Sequence, residues 1–399
     1  MRVEFSPPDI REEDINEVVR VLSSGWITTG PETKAFENYL AEHIGANRVL
    51  CLNSATAALF LSLKILGIGP GDEVITTPYT YTASVSVITH VGATPVFLDV
   101  KENSFEMDYS KLDTVITSKT KAIIAVDFAG SMCDYDAIYK QVENCKDKFV
   151  PGSSLQEKLG RIAVIADAAH SIGAVRNGKN SGQAADFTCF SFHAVKNITT
   201  AEGGAVTWNP ISGVDDNELY NLFRTYSLHG QTKDALEKNQ LSSWEYDIIY
   251  PAYKYNMTDV AAALGFSQYR RYDQLLARRY ELAEQYRREL EGTPLWIYPH
   301  KGENFTSSHH LLITRVEGFS CQERNQLIKS LAERDICTNV HYKPLPMFKG
   351  YKDRGYDIKN YPNAVKMYEN EITLPLHTRL TDDQVTYVTD SIKDILRKG

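Results

Sequence analysis

Residues 48–66 read RVLCLNSATAALFLSLKIL, and the change of character at Ser54 decides the fold. RVLCLNS (48–54) has the short apolar run of a strand, and ATAALFLSLKIL (55–66) reads as the helix that follows it. Working outward, the same alternation recurs. DEVITTP (72–78) predicts a strand with a helix-like stretch after it through Val91. TPVFLDV (94–100), KAIIAVDF (121–128) and IAVIADAA (162–169) continue the series, and DFTCFSF (186–192) and GAVTW (204–208) close it. Strands alternating with helices predict an α/β fold with a mostly parallel sheet covered on both faces. Such sheets bind ligands beyond the carboxyl ends of their strands, so chemistry is sought there.

Past residue 255 the pattern changes. YNMTDVAAALGFSQYRRYDQLLARRYELAEQYRREL (255–290) predicts one long amphipathic helix with Thr258 or Asp259 as its N-cap. HHLLITRV (309–316) and CTNVHY (337–342) read as strands, and a helix is expected over 381–397. We therefore divide the chain into a large domain, residues 1–264, and a smaller C-terminal α+β domain, residues 265–399. NCKDKFVPGSSLQEKLGR (144–161) reads as a polar surface insertion.

Bulk composition narrows the function classes. Lys and Arg total 43 against 51 Asp and Glu, a net charge of −8, which argues against a nucleic-acid or anionic-membrane partner. Cysteines 51, 133, 145, 189, 321 and 337 form no Cys-x-x-Cys pair and no cluster of zinc-ligand spacing, so no metal is expected. Scattered thiols suit a reducing cytoplasm. The polar N-terminus lacks a signal-peptide core, and no apolar run approaches the roughly 20 residues of a membrane span.

Two residues carry the chemistry. Asp167 in IADAAHS follows an apolar strand, and Lys196 in FSFHAVKNITTAEGG (190–204) comes 29 residues later, after the next strand. Singly, each has a plain reading: a helix cap for the aspartate, a packed stem with a solvated head for the lysine. Together, at successive strand ends, they can face one planar ligand. Pyridoxal phosphate (PLP) asks for this pair, a lysine for its aldehyde and a carboxylate for its pyridinium nitrogen. A lysine of ordinary pKa near 10.4 is a poor nucleophile at neutral pH, and burial among groups such as Phe192, Ala194 and Val195 lowers that barrier. NSATAAL opens a helix just after a strand, so Ser54, Ala55 and Thr56 can cradle an anion, and Ser191 can add a hydroxyl. Tyr81 in TPYTYTAS follows another strand and can stack on a planar ring.

These motifs, with SGWITTGPETKAFE (24–37), GPGDEV, GATPVFLDV and YNMTDVAAALG, resemble the DegT/DnrJ/EryC1/StrS family over residues 5–395. The resemblance implies PLP-dependent fold type I architecture, aspartate aminotransferase-like, and amino transfer to nucleotide-linked keto sugars, with the nearest likeness to enzymes aminating 4-keto sugars on UDP. By position, Lys196 resembles the Schiff-base lysine and Asp167 its pyridinium partner. Ser54, Ala55, Thr56 and Ser191 match the phosphate cradle, Tyr81 the stacking aromatic, and His170 a residue beside the cofactor's 3′-oxygen. Asn256 matches an asparagine lent across a homodimer interface to the neighbour's phosphate. Trp26, Thr28 and Thr29 match a loop near the sugar nucleotide, and His310 and His341 match positions near the substrate. Thr258 stands where many relatives have arginine, so the contact to the donor carboxylate is not assigned.

The resemblance implies glutamate as donor, a UDP- or dTDP-linked 4-keto-6-deoxy sugar as acceptor, and a homodimer with shared sites. Three readings compete with it: a PLP-dependent sugar dehydratase, an aminotransferase acting on a cyclitol, and a silent binding protein. A dehydratase branch has histidine in place of the Schiff-base lysine, and Lys196 favours transamination.

Overall fold

The computed structural model describes residues 1–238 and 244–398. Its centre is a seven-stranded sheet: β1 (Val49–Leu52), β2 (Glu73–Thr76), β3 (Thr94–Phe97), β4 (Thr120–Val126), β5 (Ala163–Asp167), β6 (Phe187–Ser191) and β7 (Gly204–Trp208). Their spatial order is β1-β7-β6-β5-β4-β2-β3. Only β7 runs against its neighbours, pairing antiparallel with β1 and β6, while β6, β5, β4, β2 and β3 are parallel. The mostly parallel α/β fold expected from the sequence is the one observed.

Both faces are buried, as the near-continuous apolar strands require. Alternate residues divide between two cores: Cys51, Ile123, Val164 and Ala166 enter one, Leu50, Ile124, Ile165 and Val206 the other. Helix α3 (Ala55–Ile65) begins where the 48–66 stretch changes character, and Ser54 caps it by accepting from the Ala57 amide at 3.0 Å. A second sheet holds β8 (Leu295–Ile297), β9 (Leu312–Val316) and β10 (Glu371–Leu374) in the order β8-β9-β10. Its core joins Leu312, Ile372, Leu327 and Val388, and draws in Val3 from the N-terminus. No described helix is long and apolar enough to cross a membrane.

Two expectations are corrected. The stretch 255–290 is two helices, Asp259–Arg270 and Tyr272–Glu289, separated at Arg271 with φ −110° and ψ 16°. The apolar pattern continues through the break, and no Pro or Gly marks it; Arg271 leaves the helix as its buried guanidinium reaches Glu13, Asp14 and the Asp9 carbonyl. CTNVHY is not a strand. It makes a single bridge, Asn339 to Thr373, because the His341 amide turns to the side chain of Glu371 at 2.9 Å instead of a ladder carbonyl. The third strand of the small sheet is β10, which the sequence reading missed. Residues 144–161 lie mostly at the surface, as expected, and are anchored there: Ser153 and the buried Gln156 both donate to the Leu66 carbonyl at 2.8 Å, closing the end of α3.

The N-cap question also resolves. Thr258 caps its own helix by accepting from the Ala261 amide. Asp259 is buried and caps a different helix, α2 (Pro31–Ile44), accepting from the amides of Gly30, Glu32 and Thr33 and from the Thr33 hydroxyl.

Candidate active site

Asp167 is the last residue of β5 and Ser191 the last of β6, so both sit on the carboxyl rim of the sheet. Asp167 is buried. Its Oδ2 accepts from the Ser84 hydroxyl at 2.6 Å, and the Ala169 amide approaches Oδ1 at 3.3 Å. Thr80 is buried beside this pair, 2.8 Å from the Ser84 hydroxyl. Burial pushes the Asp167 carboxyl up from its usual range, while Ser84, the Ala169 amide and the charge of Lys196 oppose the rise. Oδ1 thus keeps capacity for a stronger donor.

Lys196 follows the strand in the loop that leads to the glycine pair. It is half-buried, and its Nζ makes no hydrogen bond or ion pair among the described residues. Desolvation brings its pKa down to about 8, with Asp167 holding it from falling further. Glu202, the nearest acid in sequence, lies beside His193 at 3.6 Å instead. A partnerless amine of lowered pKa is a nucleophile held ready.

The opening of α3 has the geometry to cradle an anion. The amides of Ala55 and Thr56 find no acceptor among the described residues, as the first turn of a helix requires, and they carry its positive end. Gly204 brings Ser191 to this turn. It pairs with Ser191 across the β6–β7 ladder and lies so close to α3 that a Cβ would overlap the Ala55 nitrogen and the Ser54 carbonyl carbon. That close approach requires glycine.

Around the amine lie three histidines and two tyrosines. His170 is buried, its Nε2 is 3.2 Å from the Tyr342 hydroxyl, and its Nδ1 has no partner. His310 packs against it with the rings tilted, centroids 4.3 Å apart, and its Nδ1 lies 2.9 Å from Asn197 Oδ1. Burial and the charge of Lys196 hold the imidazoles of His170, His310 and His341 well below their ordinary range, so all three are neutral. Tyr81 is exposed, 62%, with its ring 6.4 Å from that of Tyr342.

The residues fit the phosphorylated pyridine aldehyde expected from the sequence. An open helix start and a serine hydroxyl suit the phosphate, a free amine suits the aldehyde, and a buried carboxylate with spare capacity suits a protonated ring nitrogen. The orphaned Nδ1 of His170 is a buried polar atom that such a group can satisfy.

The remaining sequence candidates form a neighbouring patch. Trp26 Nε1 donates to the Thr29 carbonyl, the Thr29 hydroxyl to the Met257 carbonyl, and the Asp259 amide to the Thr28 carbonyl. Asn256 Nδ2 donates to the Thr29 hydroxyl at 2.6 Å, and its Oδ1 accepts from Lys254. A bridge from Asn256 to Leu52 sets the patch beside the start of α3 in the same chain. Sequence reasoning missed Ser84, Tyr342 and Gly204. Ser84 was the findable one, since a serine in the first turn after a strand points back at the rim.

Comparison with known proteins agrees with this geometry. The DegT/DnrJ/EryC1/StrS aminotransferase family matches residues 8–393. The spore coat polysaccharide biosynthesis protein SpsC of Bacillus subtilis is 38% identical over 98% of this chain and 97% of its own. The UDP-4-amino-4-deoxy-L-arabinose–oxoglutarate aminotransferase of Shewanella sediminis is also 38% identical, over 99% of each chain. Among solved structures, the PLP-form of the putative sugar aminotransferase Spr1654 of Streptococcus pneumoniae superposes with a TM-score of 0.96 at 52% identity, covering 100% of this chain and 99% of that one. Its PMP-form gives 0.97 at 53%, covering both chains completely.

Proposed function

The chain belongs to the DegT/DnrJ/EryC1/StrS aminotransferase family and is a PLP-dependent sugar aminotransferase, and on that premise we propose that it moves an amino group from L-glutamate to a 4-keto-6-deoxy sugar carried on UDP or dTDP. The observation that carries the reading is the unpartnered amine of Lys196, electrostatically coupled to the buried Asp167. The Shewanella relative is a UDP-sugar aminotransferase whose second substrate, oxoglutarate, is the keto partner of glutamate, which supports glutamate as donor and a UDP-linked sugar exchanging nitrogen at C4 as acceptor. The Bacillus relative supports a place in surface polysaccharide synthesis.

The bound cofactor supplies a conjugated ring that takes up the electron pair left when a C–H bond beside the exchanging nitrogen breaks. Lys196 would hold the cofactor aldehyde, and its free amine would move the proton at the reacting carbon. Asp167 keeps the ring nitrogen protonated, and Ser84 keeps Asp167 aimed. Ser54, Ala55, Thr56 and Ser191 hold the phosphate, Tyr81 covers the ring, and His170 meets its oxygen substituent. Trp26, Thr28, Thr29, His310 and His341 face the sugar nucleotide.

The working unit is a homodimer in which Asn256 reaches the neighbour's phosphate. Helix Glu12–Ser24 supports this, exposing Ile15, Val19 and Leu22 by 52–54% along one stripe. The chain divides into a large cofactor-binding domain and a smaller C-terminal one, but the expected boundary at 264/265 falls inside helix Asp259–Arg270, and Tyr269, Tyr272 and Leu275 still pack in the large core. The compartment is a reducing cytoplasm that keeps the thiols free.

The test is a panel of UDP- and dTDP-keto sugars with glutamate, read by mass spectrometry. A product carrying nitrogen from labelled glutamate is expected. A deoxy sugar without incorporated nitrogen would overturn amino transfer to these acceptors.

A further inference from the structure

The segment that the sequence misread as a strand carries an arrangement that the cofactor chemistry does not use. His341 Nδ1 lies 2.9 Å from the Thr373 hydroxyl, which lies 2.6 Å from Glu371 Oε1. Glu371 Oε2 accepts the His341 amide at 2.9 Å, so one carboxylate grips the histidine by backbone and, through Thr373, by ring. Glu371 and Thr373 are fully buried on β10; His341 is only partly so, and its Nε2 makes no hydrogen bond among the described residues. The ring is further fixed by stacking on Phe5 at 5.8 Å, and its carbonyl by the Tyr79 hydroxyl.

A hydroxyl has one proton, so the chain has only two consistent polarities. When Glu371 is a carboxylate, Thr373 donates to it and must accept from His341, which places the ring proton on Nδ1 and leaves Nε2 a bare acceptor. When Glu371 is protonated, it donates to Thr373, Thr373 donates to Nδ1, and Nε2 carries the proton as a donor. We propose that Glu371 and Thr373 are positioning residues that set the tautomer of His341, and so decide whether its Nε2 accepts from or donates to the sugar substrate. The substrate half of this statement rests on the sugar aminotransferase reading above; the relay itself does not.

The surroundings make the relay responsive. Burial lifts the Glu371 carboxyl to about 8, opposed by Thr373, the His341 amide and Arg324. Other charged or titratable groups facing the unit are Lys196, His170 and His310 toward His341, and Tyr79 and Tyr342 toward Glu371. Arg324 donates to the Glu371 and Tyr368 carbonyls, to Asn325 and to the Cys321 sulfur, and Arg315, the cross-strand neighbour of Glu371, to Asn370 and the Lys366 carbonyl. His341 itself stays neutral throughout, held at about 3 by burial. The relay therefore changes the polarity of an uncharged ring.

Because Lys196 titrates in the same range, an activity profile alone would mix the two groups. The discriminating readout is the imidazole nitrogen spectrum of the histidine-labelled holoenzyme between about pH 6 and pH 10, with His341 assigned by loss of its signals in His341→Gln. The wild type is expected to pass from Nε2-protonated to Nδ1-protonated as pH rises, without imidazolium. Thr373→Val should remove that pH dependence, Thr373→Ser should restore it, and Glu371→Gln should hold one tautomer throughout. In kinetics, Thr373→Val is expected to raise KM for the keto sugar about tenfold, the effect of one lost hydrogen bond, and to spare the glutamate half-reaction. A tautomer ratio constant with pH in the wild type, or a titration surviving in Thr373→Val, would overturn the relay. Failure of every sugar with an intact tautomer titration would instead strike the substrate assignment.

Discussion

The Ser84 hydroxyl stands 2.6 Å from Oδ2 of Asp167 and donates to it across 83 residues of sequence. With Thr80 2.8 Å from the same hydroxyl, the proton of Ser84 is free to point at the carboxylate. A buried carboxylate without such a donor would drift further toward its neutral form, and a neutral Asp167 is no counter-ion for a pyridinium. Ser84→Ala is therefore expected to weaken PLP retention about tenfold, the scale of one charge-assisted hydrogen bond. Equilibrium dialysis measures it, and unchanged affinity would remove Ser84 from the site.

The amine of Lys196 has its pKa brought down to about 8 by desolvation and held up by Asp167. The rate at which cofactor-free protein captures PLP should rise with pH and level off above about 8, since only the neutral amine attacks. Removing the negative charge removes the stabilisation of the ammonium, so Asp167→Asn should move that midpoint lower even as total binding falls. Stopped-flow absorbance gives both midpoints. A shift to higher pH would contradict the coupling.

Asp259 gathers four donors at the start of α2, including the Gly30 amide at 2.7 Å, whereas Thr258 serves one amide of its own helix. Asp259→Ala should cost about 2–4 kcal/mol of stability and Thr258→Ala about 1 kcal/mol. Denaturant midpoints of the two variants test the ordering. Equal losses would mean that the α2 cap contributes little.

Glu37 is buried with its carboxyl raised to about 7 by desolvation, against hydrogen bonds from the Cys51 amide and the Tyr220 hydroxyl. Between its unfolded value of 4.5 and about 7 the folded protein keeps a proton that the unfolded chain has released. This contribution to stability is present at low pH and is lost as pH rises through that window. Glu37→Gln cannot ionise, so its stability relative to wild type should improve by on the order of 3 kcal/mol between about pH 4.5 and pH 8. Parallel unfolding curves across that range would show that Glu37 does not titrate as its burial requires.

Much of this protein was legible in the chain alone. The strand-to-helix change at Ser54, the spacing of Asp167 and Lys196, and the apolar strands between them are local periodicities and local residue choices, and these set the parallel sheet and its chemical rim. The tertiary structure decided what depends on partners distant in sequence. Asp259 looked like a cap for its own helix and caps another; Arg271 breaks a helix with no breaker residue because three acceptors in the N-terminal segment bind it. The segment 337–342 had the composition of a strand, yet a buried carboxylate captured its amide and turned His341 to the cleft. Sequence pattern reports which face of an element is apolar; it carries no record of which buried polar group will find which, because that pairing is fixed only when desolvation makes an unmet hydrogen bond costly.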